Sequence, residues 1–130
     1  MAGALFAALA VIFGAFGAHT LKETFQMPPD QVAIFDTGVR YQFYHSLGLL
    51  ITGVVFSSFP VKQLKLTTIF FIIGIILFSG SLYAMTLLRL SGMSLGPVGI
   101  ITPIGGLFFI LGWLFLFAGI LKKNSNYEKI

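Results

Sequence analysis

Three stretches of this chain run for about twenty residues without a Lys, Arg, Asp or Glu: Met1–Leu21, Tyr41–Val61 and Leu66–Leu88. A fourth, Leu90–Leu121, is longer still. A helix needs about 20 apolar residues to cross the roughly 30 Å hydrocarbon core of a bilayer. Runs of that length leave a chain of 130 residues little sequence for anything but connections and a short tail. Lipid-exposed backbone must satisfy its own hydrogen bonds, so the runs are read as helices. A β-barrel would need short alternating segments, and these runs do not alternate.

Composition enters as an exclusion. Charged residues make up 9% of the chain, against about 25% in a soluble domain, so no polar surface is available for a water-soluble fold. There are no cysteines, which removes disulfide frameworks, thiolate nucleophiles and zinc–thiolate sites. The net charge of +4 comes from residues in the gaps between apolar runs. They form no basic stripe, and no nucleic-acid partner is expected.

The long fourth run divides. Ser91, Gly92, Ser94, Gly96, Pro97 and Gly99 read as a loop. Thr102-Pro103 then reads as an N-cap followed by proline at the first helical position. The expected architecture is an all-α bundle of four transmembrane helices in a single domain, with spans near 2–21, 39–59, 66–88 and 103–121 and a polar tail over 122–130. The first run lacks the cationic start of a signal peptide. Its small residues Gly3, Ala7, Ala10, Gly14, Gly17 and Ala18 suit close helix packing, so it is read as a retained span. In the first connection, Pro28-Pro29-Asp30 looks like a helix start running into the second span; a helix from Asp30 to Ser57 would be about 42 Å long.

Four spans put both termini on one side, together with Lys62, Lys65, Lys122, Lys123 and Lys129. Lys22, Arg40 and Arg89 fall on the other side. The cationic excess marks the side of the termini as cytoplasmic, with the cell (inner or plasma) membrane as the location.

With that orientation the polar residues gather in the outer half of the bundle. The candidate cluster is His19, Arg40, Tyr41, His45, Ser79, Ser81, Tyr83 and Thr102. Asp36 and Arg40 are four apart and can pair along the second helix. At 100° per residue Arg40 and His45 point about 140° apart, so they do not face one ligand together. Arg40 either snorkels to the headgroups or anchors an anionic lipid or substrate. His19 and His45, taken at similar depth, either lock helix packing through hydrogen bonds, the favoured reading, or ligate a haem or metal or relay protons. Gly14 and Gly17 on the first span, and Gly105, Gly112 and Gly119 at seven-residue spacing on the fourth, are assigned to helix packing. Most of the fifteen Phe residues are expected to face lipid. Trp113, away from either interface, is expected to fill a gap in the bundle.

Taken together, Gly14-Ala15-Phe16-Gly17-Ala18-His19, Thr37-Gly38 with Tyr41-Gln42 and His45, Phe78-Ser79-Gly80-Ser81-Leu82-Tyr83, and Thr102-Pro103-Ile104-Gly105-Gly106 with Gly112-Trp113 resemble the ordered motifs of the YgdD/YwdK-like family of small four-helix membrane proteins. The resemblance covers nearly the whole chain. It implies four spans in an inner or plasma membrane, and implies no activity.

The residues favour a non-enzymatic membrane protein whose polar cluster organises the bundle or binds a lipid or small amphiphile. A small transporter working as an oligomer is the alternative, weakened by the lack of a carboxylate near mid-membrane. A haem- or quinone-linked redox role rests on the histidine pair alone. No acid–base pair or nucleophile points to an enzyme, and no cofactor or metal is expected. The bilayer is the expected partner.

Overall fold

Proline placement explains where two of the four helical rods begin. In the computed structural model, which describes residues 1–127 with side chains through Lys122, the second helix spans Pro29–Ser58. Pro28 is extended (φ −54°, ψ 142°) and Pro29 occupies the first turn, where its fixed φ suits the helix and its missing N–H costs nothing. The Pro28-Pro29 start expected from sequence is where this helix begins.

The fourth helix, Val98–Tyr127, begins earlier than expected and carries Pro103 inside it. Pro97 takes the starting role: Val98 N–H donates to Leu95 O at 3.3 Å and Ile100 N–H to Pro97 O at 2.9 Å. Pro103 therefore forgoes one backbone bond in the second turn, and Thr102 is a helical residue rather than a cap.

The first helix runs Ala2–Thr24 and widens from α-helical turns into π-helical ones over Phe16–Thr24. Its link to the second helix is pinned by Met27 N–H on Leu21 O at 3.0 Å, with Gln26 at positive φ (49°) making the turn. The third helix runs Lys62–Leu90, interrupted by a π-helical segment over Ile75–Ser79. No strand occurs among the described residues.

Consecutive helices pack in antiparallel pairs, as the glycine contacts show. Gly3 lies against Ser46 and Leu49, while Gly17 lies against Phe35 and Asp36. Gly38 meets Tyr83 and Gly48 meets Phe71; Gly105 meets the Phe78 backbone, Gly112 meets Phe71 and Gly119 meets Leu64. The first helix thus packs on the second, the second on the third and the third on the fourth. The first and fourth share no substantial contact among the described residues, so the bundle is open along one side of the second helix.

Three of the fifteen phenylalanines lie in the core, while the other twelve keep some surface exposure. Phe71 and Phe109 are buried in one core cluster with Leu49 and Ile75, and Phe35 in another with Leu21, Met27 and Val32. Of the twelve, Phe25, Phe43 and Phe117 are the most exposed. A Cβ on Gly112 would stand 2.5 Å from Phe71 Cδ1, and one on Gly48 2.8 Å from Phe71 Cε2. Phe71 is drawn inward where the second and fourth helices leave glycine-sized hollows, because close packing recovers dispersion contacts.

Among the described residues, three helices are long and apolar enough to cross a membrane: Ala2–Thr24, Lys62–Leu90 and Val98–Lys122. The second, with 30 residues, is long enough at 1.5 Å per residue but more polar. Of its polar residues, Gln42, His45, Ser46 and Thr52 are buried, while Arg40, Tyr41 and Tyr44 are exposed. Ser46 and Thr52 return their hydroxyls to the carbonyls of Gln42 (2.5 Å) and Gly48 (2.7 Å) one turn back.

Candidate functional site

The polar side chains of the second helix meet the other three helices through two hydrogen-bonded hubs. Gln42, only 3% exposed, donates Nε2–H to the Phe6 carbonyl of the first helix at 2.9 Å. Its Oε1 accepts the Tyr83 hydroxyl of the third helix at 2.9 Å. Tyr83 in turn packs against Phe13 and Phe35, ring centroids 4.9 and 4.8 Å apart. One side chain therefore ties three helices together.

His45 is the second hub. Its Nδ1 lies 2.7 Å from the Tyr41 carbonyl, and the indole Nε1–H of Trp113 on the fourth helix donates to its Nε2 at 3.2 Å. Indole only donates and a carbonyl only accepts, so the partners assign the neutral ring with the proton on Nδ1. The ring stacks on Phe109, centroids 3.4 Å apart and planes 10° apart, and meets Phe71 edge-on at 5.4 Å. Both nitrogens are engaged, which leaves no lone pair on His45 for a metal or haem iron in this arrangement.

The other members of the expected cluster fall into separate places. Ser81 and Thr102 share a hydrogen bond of 2.7 Å between the third and fourth helices. Ser79, fully buried at the end of the π-helical segment, has a hydroxyl without a partner. Tyr41 stacks on Phe78 at 4.5 Å and borders His45. His19 stands apart: its side chain is 75% exposed and sits 3.5 Å from Glu23 on its own helix. Gly17 is level with Phe35 while Gly3 is level with Ser46, which separates the two histidines by roughly 15 Å along the bundle. The histidines are therefore not at similar depth.

Arg40 makes no ion pair with Asp36. Its Nη2 donates instead to Thr37 Oγ1 at 3.3 Å, and Asp36 Oδ1 leans toward the first helix, where a Cβ on Gly17 would be 3.2 Å away. Gln42 and Trp113 belong to the site although neither is in the cluster expected from the sequence. A glutamine within an uncharged run was the available signal for the first. Nothing in the linear sequence pairs Trp113 with His45.

The His45 hub forms the wall of a groove of about 510 Å³ that opens sideways between the second and fourth helices. Tyr41, Tyr44, Phe78, Phe109 and Trp113 supply its aromatic lining, and Gly106 leaves room in its floor. The rims are accessible, with Tyr41 40%, Tyr44 55% and Trp113 43% exposed. Its volume lies in the usual range for small-molecule sites, about 300–1,000 Å³.

Residues 13–106 match the family described as Protein of unknown function (DUF423). The chain belongs to this family. It is 40% identical over 120 residues to the UPF0382 membrane protein SSP2132 of Staphylococcus saprophyticus, covering 92% of this chain and 93% of that one. The UPF0382 membrane protein YwdK of Bacillus subtilis is 38% identical, with 92% and 93% covered. The UPF0382 inner membrane protein YgdD of Escherichia coli K12 is 33% identical, with 91% and 87% covered. No solved structure matches. With relatives named as membrane proteins and three helices able to span, this DUF423 chain is a membrane protein.

Proposed function

We propose that this DUF423 protein is a four-span protein of the cell membrane, with both termini cytoplasmic, that holds a lipid chain or small amphiphile in the groove beside His45. The observation that carries the reading is the groove itself: a laterally open, aromatic hollow of about 510 Å³ bordered by the Tyr41 and Tyr44 rings. Neither phenol hydrogen-bonds to the described residues, so both are available to an amphiphile's polar end while its chain lies on Phe109 and Trp113. The polar hubs organise the bundle. Both ends of Gln42 join helices, and His45 is occupied at both nitrogens, by its own helix at Nδ1 and by the fourth helix at Nε2, which supports a binding role over acid–base catalysis. Burial of Gln42, His45, Ser46 and Thr52 supports membrane placement of the second helix, and the inner-membrane name of the Escherichia coli relative supports the location.

Trp113 is the single tryptophan, so intrinsic fluorescence reports on the groove directly. A brominated dodecyl amphiphile titrated into the protein in unbrominated lipid should quench it saturably. Gly106→Leu, which fills the floor, should abolish the saturable component. Equal, non-saturating quenching in both proteins would overturn the binding site. Topology is tested separately: Gln63→Cys and Asn126→Cys should resist an impermeant thiol reagent in intact cells, and labelling of both from outside would reverse the orientation.

A further inference from the structure

Tyr44 divides the open side of the second helix into two hollows, and the one on its far side has a cation at its head. That slot, about 260 Å³, lies between Ala10, Val11 and Gly14 of the first helix and Val39, Phe43 and Tyr44 of the second, with Arg40 completing its lining. Gly14 lies opposite Val39, and the helices run antiparallel. Ala10, Val11, Phe43 and Tyr44 therefore extend the slot from Arg40 toward the middle of the bundle. We propose that Arg40 and this slot form a binding site for one anionic phospholipid, with the phosphate on the guanidinium and an acyl chain in the apolar slot.

The charge on Arg40 is what selects the occupant. The guanidinium has five N–H donors in a planar fork suited to a phosphate, and its hydrogen bond to the protein goes to the neutral Thr37 hydroxyl. Asp36 lines a further hollow together with Arg40, but its carboxylate leans on Gly17 and makes no ion pair with the guanidinium. Depth agrees with chemistry. Arg40 lies about 16 Å from the start of the Pro29–Ser58 helix, with about 27 Å of helix beyond it. That remainder nearly fills the roughly 30 Å hydrocarbon core, which sets the guanidinium at headgroup level and the slot beneath it among acyl chains. The inference rests on the second helix crossing the membrane, as proposed above, but not on occupancy of the Trp113 groove.

The test uses the full chain in vesicles of equal phosphatidylglycerol and phosphatidylcholine, gently extracted and weighed by native mass spectrometry. The protein should retain phosphatidylglycerol preferentially, by roughly fivefold, the scale of one arginine at an anionic surface. Arg40→Gln should lose that preference, Arg40→Lys should keep part of it, and Arg89→Gln should leave it intact. Millimolar inorganic phosphate should not displace the lipid, since it has no chain for the slot. An unchanged preference in Arg40→Gln, an equal loss in Arg89→Gln, or displacement by free phosphate would overturn the site. Trp113→Phe run in parallel separates the two hollows: it should disturb the neighbouring groove and leave phosphatidylglycerol retention unchanged.

Discussion

Trp113 donates its indole N–H to Nε2 of His45 at 3.2 Å, across the gap between the second and fourth helices. The same imidazole is held from behind by the Tyr41 carbonyl and from its face by Phe109. One ring therefore serves as a hydrogen-bonding post and as part of the aromatic core.

Removing the ring should destabilise the bundle even with no ligand present. Hydrogen bonds between transmembrane helices contribute roughly 0.6–2 kcal/mol, and the stacked volume adds a cavity cost. His45→Ala should lower the melting temperature in detergent well below that of Phe117→Ala, whose ring is exposed. His45→Gln, which restores an acceptor for Trp113, should recover part of the loss. An unchanged melting temperature in His45→Ala would sink the packing role.

The hydrogen-bonding partners also specify a tautomer. Nitrogen NMR of labelled protein should show His45 neutral, protonated at Nδ1, with Nε2 in the shift range of an acceptor. Trp113→Phe should move the Nε2 resonance and leave Nδ1 nearly where it was. Protonation at Nε2 in the native protein would contradict the assignment.

Gln42 should matter more than either of its partners. Gln42→Ala strands the Tyr83 hydroxyl and leaves a hole between three helices, with an expected loss of about 1–3 kcal/mol. Tyr83→Phe strands Gln42 Oε1 but leaves the ring contacts with Phe13 and Phe35 in place, so without the hole it should cost less, on the order of 1 kcal/mol. Chemical denaturation of the two variants ranks them; the reverse order would refute the hub.

Glycine substitutions should separate packed positions from idle ones. Gly112→Ala places a Cβ 2.5 Å from Phe71 Cδ1, and overpacking of this kind costs about 1–3 kcal/mol. Gly53→Ala meets nothing within 4 Å and should be neutral or stabilising by about 0.5–1 kcal/mol, because alanine favours the helix. Melting curves for the pair decide it, and equal behaviour would mean that Gly112 does not admit Phe71.

The membrane character, the all-helical fold, the helix start at Pro28-Pro29 and the family motifs were legible in the amino-acid order. Each depends on local properties: an uncharged run long enough to span, a proline whose φ suits a first turn, and a set of residues in fixed sequence. At Thr102-Pro103 the same local rules pointed to a helix start, yet Pro97 supplies it and the helix runs on through Pro103, because a single missing N–H in an early turn is tolerable when the helix packs on its neighbour. Which side chains meet was decided by the tertiary structure. Opposing glycines draw Phe71 and Phe109 inward, and antiparallel register sets Gln42 beside Phe6 and Tyr83 and His45 beside Trp113. That register also carries His19 out to the end of the bundle, far from His45. Helix faces and their relative heights come from the fit of one surface into another, and that fit exists only once the helices have packed.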